Sequence, residues 1–190
     1  MKAVASVVLT TLAYATVRYN VFKGVPWDEW PTYVVNKAAA LSALMLMTVF
    51  LIRGRSQTGG LHLHLLRAAA WLIALHVLLS LALLGPATYP KFFDDGKLTV
   101  SVAWSLLLGA SVAAGSLLRP RRPVGQADRG GALRLGLLAF AAGSHAALLG
   151  FGGWTTPSAW PGFLFPITLI AFIVGIIGLL AAAFPVSTRV

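Results

Sequence analysis

The chain has no cysteine among its 190 residues. That excludes structural disulfides, iron–sulfur clusters, thiolate-ligated haem and covalent C-x-x-C-H haem attachment. Acid is scarce as well: five Asp and Glu stand against fifteen Lys and Arg. None of the five lies inside a long apolar run, so a proton or cation transporter lacks its usual intramembrane carboxylate. There is no P-loop and no G-x-G-x-x-G ahead of a helix. A zinc or copper site is poorly provided for, with histidines but no cysteine or nearby carboxylate to complete a ligand set.

What the chain does have is apolar surface. Hydrophobic residues make up 58% of it and charged residues 11%, with a mean hydropathy of +0.82. A soluble domain of this size cannot bury that much. The expectation is an all-α, polytopic membrane protein forming a single domain over residues 1–190. The net charge of +10 does not indicate nucleic acid, because the cations fall in short loops where the positive-inside bias accounts for them.

A membrane-crossing helix needs about 20 mostly apolar residues. Six stretches qualify: 3–19, 33–52, 65–84, 98–118, 133–151 and 163–184. The first, with Lys2 before it and Ala13-Tyr14-Ala15 within it, resembles a signal peptide but is read as an uncleaved span. Residues 20–32 form an expected interfacial loop, with Trp27, Trp30 and Tyr33 at headgroup level. Asn36 and Lys37 lie in the first turn of the second span, near enough to the surface to snorkel. Gly85-Pro86 ends the third span, and Asp94-Asp95-Gly96 marks a turn. Gly136, Gly143 and Gly150 recur every seven residues, a stripe that lets a neighbouring helix approach closely. Pro166 falls in the first turn of the last span, where a missing N–H is tolerated.

Ten cations (Lys2, Arg53, Arg55, Arg67, Arg119, Arg121, Arg122, Arg129, Arg134, Arg189) fall on one side of this topology, and five (Arg18, Lys23, Lys37, Lys91, Lys97) on the other. The richer side is expected to be cytoplasmic, with both termini inside. The expected location is a bacterial inner membrane.

The chemistry rests on histidine. His76 and His145 lie in the middle of the third and fifth spans, which run in the same direction. His76 is nine residues past Arg67 and His145 eleven past Arg134, roughly 13 and 17 Å of helix. A histidine at membrane depth is costly and usually functional. Two at matched depth suggest a pair of axial ligands for one metal centre. Ala69, Ala141 and Ala142, below the two histidines, leave room for a flat macrocycle. An axial imidazole normally gives its other N–H to an acceptor. Ser80, at i+4, is the expected partner of His76, and the backbone near Ala141 or Ser144 that of His145. His62 and His64 lie at the cytoplasmic boundary, where solvation explains them.

With its spans three and five reading LLRAAAWLIALH and LRLGLLAFAAGSH, the chain resembles the ferric reductase-like transmembrane family. That family includes ferric reductases, the membrane half of NADPH oxidases, STEAP-type metalloreductases and the haem subunit of a periplasmic methionine sulfoxide reductase system. The resemblance implies six spans, inside termini, and haem b between His76 and His145 as iron ligands. Many members bind two haems through an H-x13-H spacing on each ligand helix. His62 and His76 have that spacing, but the matching inner position on span five is Gly131. One haem b per chain is therefore expected, as in the single-haem members.

The resemblance also implies electron transfer across or into the membrane. The donor would be a quinol or a separate reductase, because only six residues follow Phe184 and no flavin or nicotinamide domain is present. Whether the chain acts as an oxidoreductase alone or as one subunit of a redox complex stays open. The alternative is a haem-free accessory subunit of a membrane complex. In it, His76 and His145 would be packed polar residues, and the aromatic outer loops would bind other subunits.

Overall fold

Where no water can satisfy backbone N–H and C=O groups, long apolar runs bond within themselves and become helices. The computed structural model describes residues 2–53, 61–117 and 129–184, and the fold is all-α. α1 (Lys2–Thr16) continues through a π-helical turn, Val17–Phe22. α2 (Val35–Arg53) follows a 3-10 turn at Trp27–Glu29 and a π-helical turn at Trp30–Val34. α3 is Leu61–Leu83, α4 Val100–Leu117, α5 Arg129–Gly150 and α6 Ile167–Ala183. A small hairpin, β1 (Phe93–Asp94) and β2 (Lys97–Leu98), lies between α3 and α4. Asp95 and Gly96 close it with φ of 45° and 71°, the left-handed pair that a two-residue turn of this kind needs.

Among the described residues four helices are long and apolar enough to cross a membrane: Trp27–Arg53, His64–Leu83, Gly130–Gly153 and Pro161–Ala183. The apolar part of α4, Val100–Ser116, is shorter. α1 and the π-helical turn that continues it are diluted by Lys2, Arg18 and several Ser and Thr. The expected interfacial loop at 20–32 is largely helical. Pro31 sits at the start of the π-helical turn, where its missing N–H costs nothing, so the helical path into α2 begins at Trp27. Trp27 is exposed, whereas Trp30 is half-buried and donates its indole N–H to Thr16 Oγ1 (2.9 Å).

α2 is the axle. It packs against α1, α3, α5 and α6 and is buried on nearly every side, as befits a helix apolar all round. Its few polar side chains are partnered across helices: Ser42 with Thr11 of α1, and Thr48, which donates to the Val174 carbonyl of α6 (3.2 Å). The tightest pair is α5 with α6. A Cβ on Gly143 would come within 3.0 Å of the Ala171 carbonyl, and one on Gly175 within 2.8 Å of the Ala139 carbonyl. The glycine stripe of span five therefore faces α6, and His145 lies off that stripe.

The connections at 22–34, 84–99 and 151–166 gather at one end of the bundle, the end that the charge count leads one to expect on the outer side. There Tyr14 donates to the Phe165 carbonyl (2.7 Å) and Arg18 to that of Leu164. Pro166 is the N-cap of α6 rather than part of its first turn.

Candidate functional site

His76 is placed by α3, whose buried Leu65 and Ala69 face α2. Those residues and His76 recur at helical spacing, so His76 is turned toward α2 as well. There Asn36, 1% exposed, meets it: the His76 Nδ1–H donates to Asn36 Oδ1 at 2.6 Å. Ser80 completes the cluster. Asn36 Nδ2 donates to Ser80 Oγ (3.1 Å), and Ser80 Oγ lies 3.3 Å from Asn36 Oδ1 and 3.4 Å from His76 Nδ1. The expected Ser80 partner is therefore present but secondary. The amide oxygen from the neighbouring helix is nearer.

His145 is held the same way from α4. Its Nδ1–H donates to the Ser105 carbonyl at 2.7 Å, with Ser105 Oγ at 2.9 Å. Ser105 Oγ in turn donates to the His145 carbonyl (3.1 Å), and Ser105 is fully buried. This replaces the partners expected at Ala141 or Ser144. In a helix interior the carbonyl near Ala141 is already taken by the i to i−4 ladder, whereas Ser105 approaches from outside it. Gly109, one turn further along α4, lies against the ring: a Cβ there would be 3.0 Å from His145 Cε1.

A carbonyl or amide oxygen only accepts, so both Nδ1 atoms carry the proton. In the neutral rings each Nε2 then keeps its lone pair for a Lewis acid. α3 and α5 are not a closely packed pair; α2 and α4 stand on either side and supply the anchors.

The remaining expected residues divide. Ala69 is buried against the core on the α2 side and does not border an open face. Ala141 and Ala142 are half-buried. His64 is exposed, and the side chain of His62 lies outside the described residues. Gly131, in the first turn of α5, has open space where a Cβ would go. Of the cations in the charge count, Arg55, Arg119, Arg121, Arg122 and Arg189, and the side chain of Arg129, lie outside the described residues. Arg18, counted as a loop charge, is instead buried at 7% exposure.

Among the described residues no three of His, Cys, Asp or Glu come together to hold a metal ion. Two lone-pair nitrogens with fixed tautomers are a donor set suited to a planar macrocycle that brings four ligands of its own. In donor chemistry the two imidazoles are of the kind such a macrocycle takes.

Fold and site together define an all-α protein with helices fit to cross a membrane and two histidines, each anchored by the helix beside it. Comparison with protein-family models, curated proteins and solved structures finds no match.

Proposed function

We propose that the chain is a six-span, b-type haem protein of the bacterial inner membrane that carries electrons across or into the bilayer. In this reading it is akin to the single-haem members of the ferric reductase-like family. The observation that carries the reading is the matched anchoring of the two rings: Asn36 takes the Nδ1–H of His76, and Ser105 that of His145. Such partners fix ring orientation and make the free nitrogen more basic, and they are what an axial ligand needs. A bound haem would supply a reversible one-electron couple. Asn36 and Ser105 would hold the rings in register, and the surrounding apolar helices would exclude water and so set the potential. A quinol or separate reductase donates electrons from the cytoplasmic side, where both termini lie, and an acceptor takes them at the outer end.

The same hydrogen bonds also suit a second reading. A histidine paired with a polar group on the next helix can simply be interhelical glue, worth about 0.6 kcal/mol on average in membranes. The chain would then be a haem-free accessory subunit, binding other subunits through its aromatic outer loops.

The absorption spectrum of the purified protein, oxidised and dithionite-reduced, separates the two. A reducible Soret and α band with one haem per chain by pyridine haemochrome is expected, lost in both His76→Ala and His145→Ala and kept in His64→Ala. A colourless, folded wild-type protein removes the haem reading. Full haem content in either of the first two variants removes the ligand assignment.

A further inference from the structure

The outer end carries cations that the reading above does not use. Lys37 follows Asn36 on α2, and its ammonium stands over two tyrosine rings, 5.2 Å from the centroid of Tyr33 and 4.9 Å from that of Tyr89. Lys23 stands 5.4 Å from Tyr19 and 5.8 Å from Tyr33. The rings form a ladder, Tyr19 to Tyr33 to Tyr89 at 5.5 and 5.8 Å. Aromatic faces stabilise a cation partly, by about 0.5–2 kcal/mol, but do not neutralise it.

Counter-charge is missing. Among the described titratable groups Tyr19 is the one that favours the Lys37 charge, Lys23 opposes it, and no carboxylate acts on it. Around Lys23, the cations Lys37, Arg18 and Lys91 outweigh the single acid Glu29. Two buried donors also stand idle. The Nε of Arg18 has no partner, and the Tyr89 hydroxyl approaches the Asn36 amide without a hydrogen bond of good geometry. Glu29 is the one acid that acts on Tyr33, Tyr89 and Lys23, and it does not act on Lys37. A half-buried lysine without a carboxylate of its own, beside a buried hydroxyl without a well-formed hydrogen bond, is a place prepared for an anion.

The position of Lys37 says which anion. It is the lysine whose charge acts on both His76 and His145, and it is the neighbour in sequence of the residue that anchors His76. A ligand gripped between those rings and bearing acid groups meets this charge first. Haem b bears two carboxylates, and a carboxylate in an apolar bundle requires a cation or a strong donor.

We propose that Lys37, with the Tyr89 hydroxyl beside it, binds a propionate of the haem held by His76 and His145. This rests on the haem reading, and the test keeps the two apart. The full chain, produced without haem in detergent, is loaded with haem b or with its dimethyl ester, which keeps the ring and iron but lacks the charges. Wild type is expected to hold haem b about tenfold or more tighter than the ester, the worth of one charge-assisted hydrogen bond. Lys37→Met should bring haem b down to the ester's affinity and leave the ester's affinity unchanged, while Lys37→Arg restores the preference. Lys37→Met should also lower the midpoint potential, because removing a nearby cation favours the ferric state. Equal affinity of wild type for the two compounds overturns the proposal. So does a Lys37→Met protein that loses both alike, which would mark Lys37 as structural, or one that keeps the wild-type preference, which would leave the cation cluster to some other anion. Failure of wild type to bind either compound removes the haem reading itself and this proposal with it.

Discussion

Replacing Asn36 with leucine keeps the branching of the side chain, at a somewhat larger volume, and deletes the acceptor that His76 uses. In the native site the Nδ1–H donates at 2.6 Å to an amide oxygen only 1% exposed as a residue. After the change the nearest acceptor described is Ser80 Oγ, at 3.4 Å. An orphaned buried donor costs about 1–3 kcal/mol, and the Ser80 hydroxyl recovers part of it by rotating toward the ring. A net loss of about 1–2 kcal/mol remains, close to the ten- to hundredfold range typical of lost outer partners of metal-binding histidines. Asn36→Leu is therefore expected to weaken haem retention about tenfold and, by making the imidazole a poorer electron donor, to raise the midpoint potential. Asn36→Asp places a carboxylate against the same N–H and should lower the potential. Haem titration and spectroelectrochemistry read both effects on folded protein. Potentials that move in the same direction in the two variants, or stay put in both, would refute the role given to Asn36.

Further expectations concern the neighbouring packing and charge. Gly109→Ala puts a methyl 3.0 Å from His145 Cε1, so the ring must yield by a few tenths of an ångström. A shift in the low-spin ferric EPR signal, with a stability loss of about 1 kcal/mol, is expected, and an unchanged signal would show that the ring is not held there. Gly143→Leu has no room beside the Ala171 carbonyl and the α carbon of Phe172. It should prevent recovery of a monodisperse protein in detergent. Lys23, outside the spans, is exposed as a residue, yet its ammonium tucks between tyrosine rings. That burial, followed by repulsion from Lys37, Arg18 and Lys91, holds its pKa below the 10.5 of a free lysine. The unfolded chain then binds more protons than the native one between the two values, so stability gains from this group as pH rises toward about 10.5. Lys23→Gln should flatten that rise in the thermal melting midpoint and stabilise the protein below it.

The sequence made the helices legible because each is an apolar run with few interruptions, and it marked His76 and His145 because a histidine stands out in such a run. A close neighbour of α5 was visible in the seven-residue glycine repeat, but not that the neighbour is α6. The partners of the histidines were not visible. Asn36 reads as a polar residue near a helix end, and Ser105 as one serine among several, until α2 and α4 are known to lie beside α3 and α5. The partners expected from the sequence, Ser80 and Ser144, sit on the same helices as the rings, and one of them does serve in a lesser way. Loop boundaries failed at 20–32 because proline and tryptophan there start a helical path rather than end one. Arg18 and Lys37 were counted as surface charges because a charge count carries no burial.

The polar groups of α2 acquire partners in the order in which a ribosome would deliver them. Ser42 finds Thr11, which has already emerged. Asn36 must wait for His76 and Ser80 of the next helix. Thr48 must wait for the Val174 carbonyl, 126 residues later and in the last helix made. The central helix of the finished bundle is thus among the first to enter the bilayer and the last to be completed. Until α6 is made the Thr48 hydroxyl lacks the partner it has in the finished bundle, so α2 is fully seated only when the last helix packs against it.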